Sequence, residues 1–226
     1  TQEETNPFMG YRAIRMYLDR EDVFTPQIRA ILRASAFGKV RIMFPMISNL
    51  EEFLSAKGHV LAIQKELSSQ AIRYDPQILI GTMIEVPSAA INADILTSHA
   101  DFVSIGTNDL TQYTMSVDRG NDKVSYLYST FNPAVLRSIR HIIECGRREG
   151  IMVGMCGEAA SDPLMIPLLL AFGLNEFSMS ASAILKARKY ITGYSVEELK
   201  AVAEQAMGFV TAAETQQFMK NFVEGR

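Results

Sequence analysis

The feature of this chain that most limits its fold is a repeated alternation of short apolar runs with helix-forming stretches. Each apolar run is bounded by glycine, proline or polar residues and has the length of a buried strand. Strands that are apolar throughout are typical of parallel sheets, which are covered on both faces. We therefore predict an α/β fold with five parallel strands, at residues 40–46, 78–86, 102–107, 152–156 and 176–180.

Helix-start and helix-stop residues predict helices around these strands. Asn6-Pro7 and Asn132-Pro133 are typical helix starts, and Gly150 and Gly173 are typical ends. The predicted helices cover residues 8–20, 26–36, 48–69, the stretch after Pro87, 132–149, 162–172 and the region after 183, with breaks near Gly193 and Gly208. With no linker or internal repeat, residues 1–226 are predicted to form a single domain.

Two architectures fit such a chain, a (β/α)8 barrel and an open doubly wound sheet. A full barrel typically needs about 250 residues and eight strands, whereas this chain has 226 residues. Polar residues follow three of the predicted strands, at Glu85, at Asn108-Asp109 and at Cys156. Chemistry spread over several strand ends favours a barrel. Because the first predicted element is a helix, we expect a partial barrel of about five strands.

Composition excludes several classes of function. The chain is 48% hydrophobic and 21% charged, with a net charge of −3 and interleaved acids and bases. It therefore has no basic stripe for nucleic acid and no apolar run long enough to insert in a membrane. Its polar N-terminus is unlike a signal peptide. Cys145 and Cys156 lack metal-binding spacing, so we expect a reducing, cytoplasmic location.

Glu85 and Asp109 are the candidate metal ligands. Glu85 ends an apolar strand, where an unpaired carboxylate costs several kcal/mol to bury. Asp109 follows the next strand, and neighbouring strands lie about 4.8 Å apart. The two carboxylates could share one hard divalent ion, for which Mg²⁺ is the natural choice. The pattern equally allows Glu85 to pair with a core arginine or lysine.

Arg12, Arg119 and Cys156 are further candidates for binding or chemistry. A guanidinium group matches phosphate and carboxylate geometry, although a surface salt bridge is the commoner fate of an arginine. Arg119 follows the Asn-Asp pair by ten residues, which favours a binding role. Cys156 is flanked by glycines in Gly154-Met155-Cys156-Gly157. This thiol is interpreted as a nucleophile, an acid or an inert buried group.

Five motifs carry a family resemblance. They are Asn6 to Arg15, Phe37 to Met46, Met83 to Pro87, Gly106 to Tyr113 and Gly154 to Glu158. In this order and spacing they resemble Enzyme I of the bacterial sugar phosphotransferase system, the phosphoenolpyruvate–protein phosphotransferases. The wider family includes pyruvate phosphate dikinase and phosphoenolpyruvate synthase, but the stretch from Tyr113 to Asp122 is more similar to Enzyme I. The resemblance covers essentially the whole chain.

The resemblance implies a phosphoenolpyruvate (PEP)-binding barrel, of which this chain would supply the fourth to eighth strands. It implies that Glu85 and Asp109 hold Mg²⁺. It also implies that PEP binds to Asn108, Asp109 and Arg119. The implied function is transfer of a phosphoryl group from PEP to a histidine and on to the carrier HPr for sugar uptake, with release of pyruvate.

The resemblance also assigns the remaining candidates. Arg12 would contact the phosphate of PEP, and Arg119 and Cys156 would be catalytic. Cys156 would protonate the enolate on its way to pyruvate. Since family members dimerise through this domain, and since an open barrel has unpaired edges, we expect a homodimer.

Family members also have parts that do not occur here. These are an N-terminal domain with a phosphorylated histidine in a Thr-Ser-His setting, and three earlier strands, two of which supply further arginines. None of the three histidines has that setting, so this piece alone is expected to be inactive. The alternatives are a piece of pyruvate phosphate dikinase or PEP synthase, or a non-catalytic dimerisation or sensing module.

Overall fold

The strands form one parallel sheet in the order β1-β2-β3-β4-β5. The structure is a computed structural model that describes residues 4–225. Its strands are β1 (Arg41–Phe44), β2 (Leu79–Ile84), β3 (Phe102–Gly106), β4 (Met152–Cys156) and β5 (Glu176–Phe177). Each strand pairs in parallel with its neighbours in sequence. A doubly wound sheet reverses its strand order, so the sequential order confirms the predicted partial barrel.

Helices connect the strands and cover the outer face of the sheet. They are α1 (Ile14–Tyr17), α2 (Glu21–Ala34), α3 (Leu50–Ser69), α4 (Pro87–Ile91), α5 (Ala93–Thr97), α6 (Thr107–Met115), α7 (Pro133–Glu149), α8 (Ile166–Phe172), α9 (Ala181–Thr192), α10 (Val196–Met207) and α11 (Ala212–Glu224). Outward-facing strand residues such as Ile42, Val103 and Val153 are buried in one core with these helices. Across residues 4–225, every helix is too short or too polar to cross a membrane.

The inner face of the sheet is much less covered than the outer one. Side chains alternate along a strand, and in β1 the inner residues Arg41 and Met43 are exposed while Ile42 and Phe44 are buried. The Arg41 guanidinium lies over the Phe102 ring on this inner face, 5.5 Å from the ring centroid. In the described part of the chain β1 and β5 each have one neighbouring strand. The inner face of the partial barrel is therefore open.

The strands lie where the apolar runs predict them, although most are shorter. The prediction for β4 matches at both ends, whereas the predicted strand 176–180 pairs only over Glu176–Phe177. Ser178 still donates its backbone N–H to the Met155 carbonyl at 2.8 Å. Residues 179–180 have no regular secondary structure and lead into α9.

The predicted helix over residues 8–20 is wrong. Pro7–Met9 form a 3₁₀ turn, and α1 is a single turn of four residues. Ala13, directly before α1, has φ 51° and ψ −131°, which no helix accommodates. The next helix starts at Glu21 rather than at Pro26, which lies within it.

Helix α6 is absent from the sequence-based prediction, which has a loop there. Strand β3 ends at Gly106 and the helix begins at Thr107. Asn108 and Asp109 therefore lie in the first helical turn. Short polar residues such as these favour caps and turns, so the sequence pattern predicts a loop here and not a helix. An acidic side chain in the first turn is also favoured by the helix dipole.

Side-chain caps fix the starts of the two longest helices. Asn132 accepts a hydrogen bond from Ala134 N–H at 2.9 Å, as predicted for α7. For α3 the cap lies one residue later than predicted, at Asn49, which accepts from Glu52 N–H at 2.8 Å. The Glu52 carboxylate in turn accepts from Ser48 N–H at 2.7 Å. The predicted breaks near Gly193 and Gly208 are confirmed.

Candidate active site at the carboxyl ends of the strands

The strand register places Glu85, Gly106 and Cys156 at one level of the sheet. Ile84 of β2 pairs with Ile105 of β3, and Gly106 pairs with Cys156 of β4. Glu85 directly follows Ile84, so the three residues lie side by side at three neighbouring strand ends. Because strand side chains alternate between faces, they share the inner face. A carboxylate and a thiol thus face the same open end of the partial barrel.

Gly106 provides the space in which the Glu85 carboxylate lies. A Cβ atom at position 106 would lie 2.7 Å from Glu85 Oε2 and 2.8 Å from Met83 Sδ. Both distances are shorter than a van der Waals contact, so any side chain here would displace the carboxylate. The glycine at the end of β3 is therefore needed for close approach and not for its backbone conformation.

Glu85 is a buried carboxylate with few compensating partners. Its side chain is 5% exposed, and its Oε1 accepts a hydrogen bond from Met46 N–H at 2.7 Å. Met46 has φ 59°, a left-handed conformation that is costly for a non-glycine residue. Burial raises the pKa of Glu85, the charge of Asp109 adds to this rise, and Met46 N–H and Arg12 oppose it.

Arg12 reaches the site from the N-terminal segment. Its Nη2 lies 3.5 Å from Asp109 Oδ2, and its Nη1 lies 3.4 Å from both the Phe8 carbonyl oxygen and the Tyr113 hydroxyl. The Arg12 side chain is 37% exposed and that of Asp109 is 14% exposed. Among the ion pairs of residues 4–225, Arg12 therefore pairs with Asp109 and not with Glu85.

Glu85 and Asp109 fit a hard divalent cation. They supply carboxylate oxygens; burial raises the pKa of Glu85, and the charge of Asp109 adds to that rise. Mg²⁺ is commonly bound by one or two carboxylates together with water and substrate oxygens. In the described residues no group of three or more His, Cys, Asp and Glu side chains could hold a metal by itself. These two carboxylates would thus be the protein ligands, and other oxygens would complete the coordination.

Asn108, in the first turn of α6, contacts the turn after β4. Its Oδ1 accepts a hydrogen bond from Glu158 N–H at 3.1 Å, and Thr107 donates its hydroxyl to the Cys156 carbonyl at 3.0 Å. Gly157, between these partners, has φ 96° and ψ −176°, a region reserved for glycine. A Cβ atom there would lie 2.9 Å from Asn108 Oδ1.

Cys156 is a half-buried thiol at the end of β4. Its Sγ lies 3.7 Å from the Ile105 carbonyl oxygen. Burial raises the pKa of Cys156, the Ser104 hydroxyl opposes the rise, and the charge of Glu85 adds to it. A buried thiol with a raised pKa is a weak nucleophile. This environment disfavours the nucleophile and is compatible with both the acid and the inert buried group.

Arg119 lies at the exposed rim of the site. Its backbone N–H donates to Oε1 of the buried Gln112 at 3.1 Å. Tyr128 donates its hydroxyl to the Asn108 carbonyl at 3.3 Å. Burial raises the pKa of Tyr128 and the nearby Arg119 opposes the rise. Arg119 is therefore linked to Asn108 through Tyr128, while Arg12, Asp109 and Glu85 form the inner group.

Several residues of the site are missing from the sequence-based prediction. Gln112 and Tyr113 follow Asp109 at three and four residues, a spacing that would have placed them on one face had α6 been recognised. Met46 and Tyr128 have no such signal, because their contacts to Glu85 and Asn108 arise from distant parts of the chain.

A cavity of about 620 Å³ adjoins the site without including its carboxylates. It lies between residues 5–9 of the N-terminal segment and α6, and its other walls include Met46, Val86 and Val117. The walls are largely apolar, and the lining lacks Glu85, Asp109 and Cys156. The predicted chemistry therefore lies beside this cavity, at the strand ends.

A family of PEP-utilising enzymes matches most of this chain. A profile described as "PEP-utilising enzyme, PEP-binding domain" matches residues 1–196. The match covers most of the chain, so the chain belongs to this family as a PEP-binding domain. The predicted family resemblance is confirmed.

Curated relatives narrow the comparison to PEP–protein phosphotransferases. The enzyme of that name from Staphylococcus aureus is 47% identical over 222 residues, which are 98% of this chain and 39% of the relative. The one from Geobacillus stearothermophilus is 50% identical over 218 residues, 96% of this chain and 38% of the relative. The chain thus spans well under half the length of these relatives.

A solved structure shows the same fold in a distant protein. A citrate lyase from Burkholderia xenovorans LB400 superposes with a TM-score of 0.57 over 90% of this chain and 70% of its own. Its sequence identity is 15%, so the likeness concerns the fold alone.

Proposed function

We propose that this chain is the PEP- and Mg²⁺-binding part of a PEP–protein phosphotransferase. The observation that carries the proposal is the grouping of Arg12, Asp109 and Glu85 at the strand ends, with Cys156 at the neighbouring end. Two carboxylates and a guanidinium suit a metal-bound phosphate. The names of the curated relatives favour this function over pyruvate phosphate dikinase or PEP synthase.

In the proposed complex the arginines and Asn108 bind the substrate. Arg12 and Arg119 would donate hydrogen bonds to the phosphate oxygens and take up negative charge during transfer. Asn108 would orient PEP from the first turn of α6. Glu85 and Asp109 would hold Mg²⁺, which when bound would neutralise charge on the substrate oxygens.

Cys156 is proposed to act as the acid of the second half of the reaction. Transfer breaks the bond between phosphorus and the enol oxygen of PEP, and the phosphoryl group passes to a histidine nitrogen. The remaining enolate accepts a proton at its C3 carbon from the Cys156 thiol, which gives pyruvate and a thiolate. Solvent then reprotonates the thiolate.

The acceptor is proposed to lie in another domain of a longer protein. In full-length relatives a phosphohistidine domain would receive the phosphoryl group and pass it to HPr, in the cytoplasm and in the service of sugar uptake. A non-catalytic sensing module would have little need for both an Arg12–Asp109 ion pair and the Cys156 thiol at neighbouring strand ends. We therefore favour the enzyme.

The proposal is tested by titrating the chain with PEP, with and without Mg²⁺. Two-dimensional NMR spectra are recorded at each point of the titration. We expect saturable shifts at residues around Asp109 and Cys156 with Mg²⁺, and their loss when EDTA is added. We also expect no pyruvate release from the chain alone. Absence of binding at millimolar PEP with Mg²⁺, or turnover at the rate of a complete phosphotransferase, would contradict the proposal.

The open sheet edges lead us to expect self-association. Edge strands present unpaired backbone groups to solvent, and β1 and β5 each have one neighbour within the described residues. On the inner side of β1, Met43 is 36% exposed. Static light scattering should show a mass that rises toward a dimer with concentration. A constant monomer mass over the whole range would refute the proposed homodimer.

A further inference from the structure

Tyr113 joins the N-terminal segment to α6 at the centre of the site. It lies four residues after Asp109 on α6, so the two side chains share one face of the helix. The Tyr113 hydroxyl contacts the Phe8 carbonyl oxygen, lies 3.4 Å from Arg12 Nη1 and lies 3.8 Å from Met46 Sδ. One hydroxyl group therefore contacts two residues of the N-terminal segment and also Met46, which follows β1.

The hydrogen-bond roles of the three groups are compatible. A phenol has one proton to donate and can also accept. The Phe8 carbonyl oxygen only accepts and the Arg12 guanidinium only donates. Tyr113 therefore donates to Phe8 and accepts from Arg12. Arg12 Nη1 also lies 3.4 Å from the Phe8 oxygen, which closes a triangle of polar contacts.

The segment that carries Arg12 depends on contacts with α6. Three side-chain hydrogen bonds join residues 4–19 to α6, and each involves Tyr113 or Asp109. Ala13, the residue after Arg12, has φ 51° and ψ −131°. Such a conformation is costly for alanine and persists only when surrounding contacts enforce it. The contacts at Tyr113 and Asp109 flank Ala13 on the side of Arg12, and the fully buried Ile14 flanks it on the other side.

We propose that Tyr113 is a positioning residue that holds the Arg12 guanidinium beside Asp109 and thereby sets where this arginine meets the phosphate of the substrate. The second half of this inference, where Arg12 meets the phosphate of the substrate, rests on the proposed function. The first half, the anchoring of Arg12, concerns the chain without ligand. Tyr113 itself touches neither the substrate nor the metal in this proposal.

The first test uses Tyr113→Phe, with Tyr126→Phe as the matched control because Tyr126 is 79% exposed. Hydrogen exchange followed by mass spectrometry measures the backbone of residues 8–15 without ligand. We expect faster exchange of this segment in Tyr113→Phe and wild-type exchange in the control. Unchanged exchange in Tyr113→Phe would overturn the anchoring role.

The second test distinguishes binding of the phosphate group from binding of the rest of the ligand. With Mg²⁺ present, Tyr113→Phe should weaken PEP binding about five- to tenfold, while the affinity for oxalate, a carboxylate ligand without phosphate, should stay unchanged. In an Arg12→Gln background, Tyr113→Phe should not weaken PEP binding any further, since the two residues act as one unit. The inference would be overturned if Tyr113→Phe weakened PEP and oxalate binding equally. It would also be overturned if the effects of Tyr113→Phe and Arg12→Gln on PEP binding were fully additive.

The two tests also separate this inference from the proposed function. If the wild-type chain binds no PEP but Tyr113→Phe frees residues 8–15, the proposed function fails and the anchoring of Arg12 stands. If the wild-type chain binds PEP and Tyr113→Phe binds it equally well, the proposed function stands and the positioning role fails. If Tyr113→Phe lowers the unfolding temperature, the unchanged oxalate affinity still shows an intact site.

Discussion

Replacing Asp109 by asparagine is expected to lower the affinity of the chain for a divalent cation by at least about tenfold, with a larger loss in PEP binding. Asp109 is one of two carboxylates at the proposed metal site, and it is also the ion-pair partner of Arg12 at 3.5 Å. The substitution removes a metal ligand charge and frees the arginine at the same time. The effect on binding should therefore exceed that of any single hydrogen bond.

Folding should be nearly unaffected by Asp109→Asn. An acidic residue in the first turn of a helix contributes about 0.3–1 kcal/mol, and this loss is offset because a charge near the buried Glu85 disappears. Mn²⁺ provides the probe, since its free concentration is measured directly by electron paramagnetic resonance. Asp94→Asn is the matched control, because Asp94 is exposed in the first turn of α5. Wild-type Mn²⁺ affinity in Asp109→Asn would remove Asp109 from the proposed ligand set.

Gly157→Ala is expected to destabilise the fold by about 3 kcal/mol and to abolish PEP binding. The backbone at Gly157 has φ 96° and ψ −176°, a conformation that costs any L-amino acid energy. The new Cβ would also overlap the Thr107 hydroxyl and lie 2.9 Å from Asn108 Oδ1. Relief of this overlap must move the first turn of α6, which carries Asn108 and Asp109.

Gly173→Ala provides a control for a positive φ without a new contact. Gly173 has φ 93° and ψ 28°, a left-handed conformation, whereas Gly157 with ψ −176° lies in a region essentially restricted to glycine. A Cβ at Gly173 would meet nothing within 4 Å. Gly173 ends α8 in this left-handed conformation, so alanine should cost only about 1 kcal/mol. Thermal unfolding should then fall by about 2–4 °C in Gly173→Ala and by several times more in Gly157→Ala. Equal shifts in the two variants would show that neither the glycine-only backbone conformation of Gly157 nor its contact with Asn108 and Thr107 adds to the loss of stability.

The strands could be predicted because a buried parallel strand leaves an uninterrupted apolar run. β4 is the clearest example, since Gly150 ends the preceding helix and the apolar run matches the strand at both ends. β5 is shorter than its run, because strand length depends on how far the neighbouring strand offers partners. That information belongs to β4 and is not present in residues 176–180.

The helices near the site were harder to predict for a physical reason. In α6 the residues Thr107, Asn108 and Asp109 have side chains that compete for backbone hydrogen bonds, so their local preference is for a turn. The helix forms because it continues β3 into a buried position, where Leu110 and Gln112 pack. The helix predicted over 8–20 is absent because Ala13, with φ 51° and ψ −131°, interrupts any helix through that segment.

Within the site, the sequence predicted the charged residues but not the glycine that leaves space for the Glu85 carboxylate. Glu85 was recognisable because a carboxylate in an apolar run needs an explanation. Gly106 was recognisable only as a strand end, since its contact with Glu85 Oε2 depends on the register of β2 and β3. The roles of Glu85, Asp109, Arg12, Asn108, Arg119 and Cys156 stay predictions until binding and turnover are measured.

The two faces of the sheet have a consequence for how such a domain can change over generations. The outward-facing side chains of β1 and β3, such as Ile42 and Val103, are buried under helices, so the stability of the fold limits their replacement. Of the inward-facing residues, Met43 is exposed and Met83 and Ser104 are partly exposed. Substitutions among them cost little packing energy in this chain. The inner surface can therefore diverge toward new ligands while the outer surface keeps the same architecture.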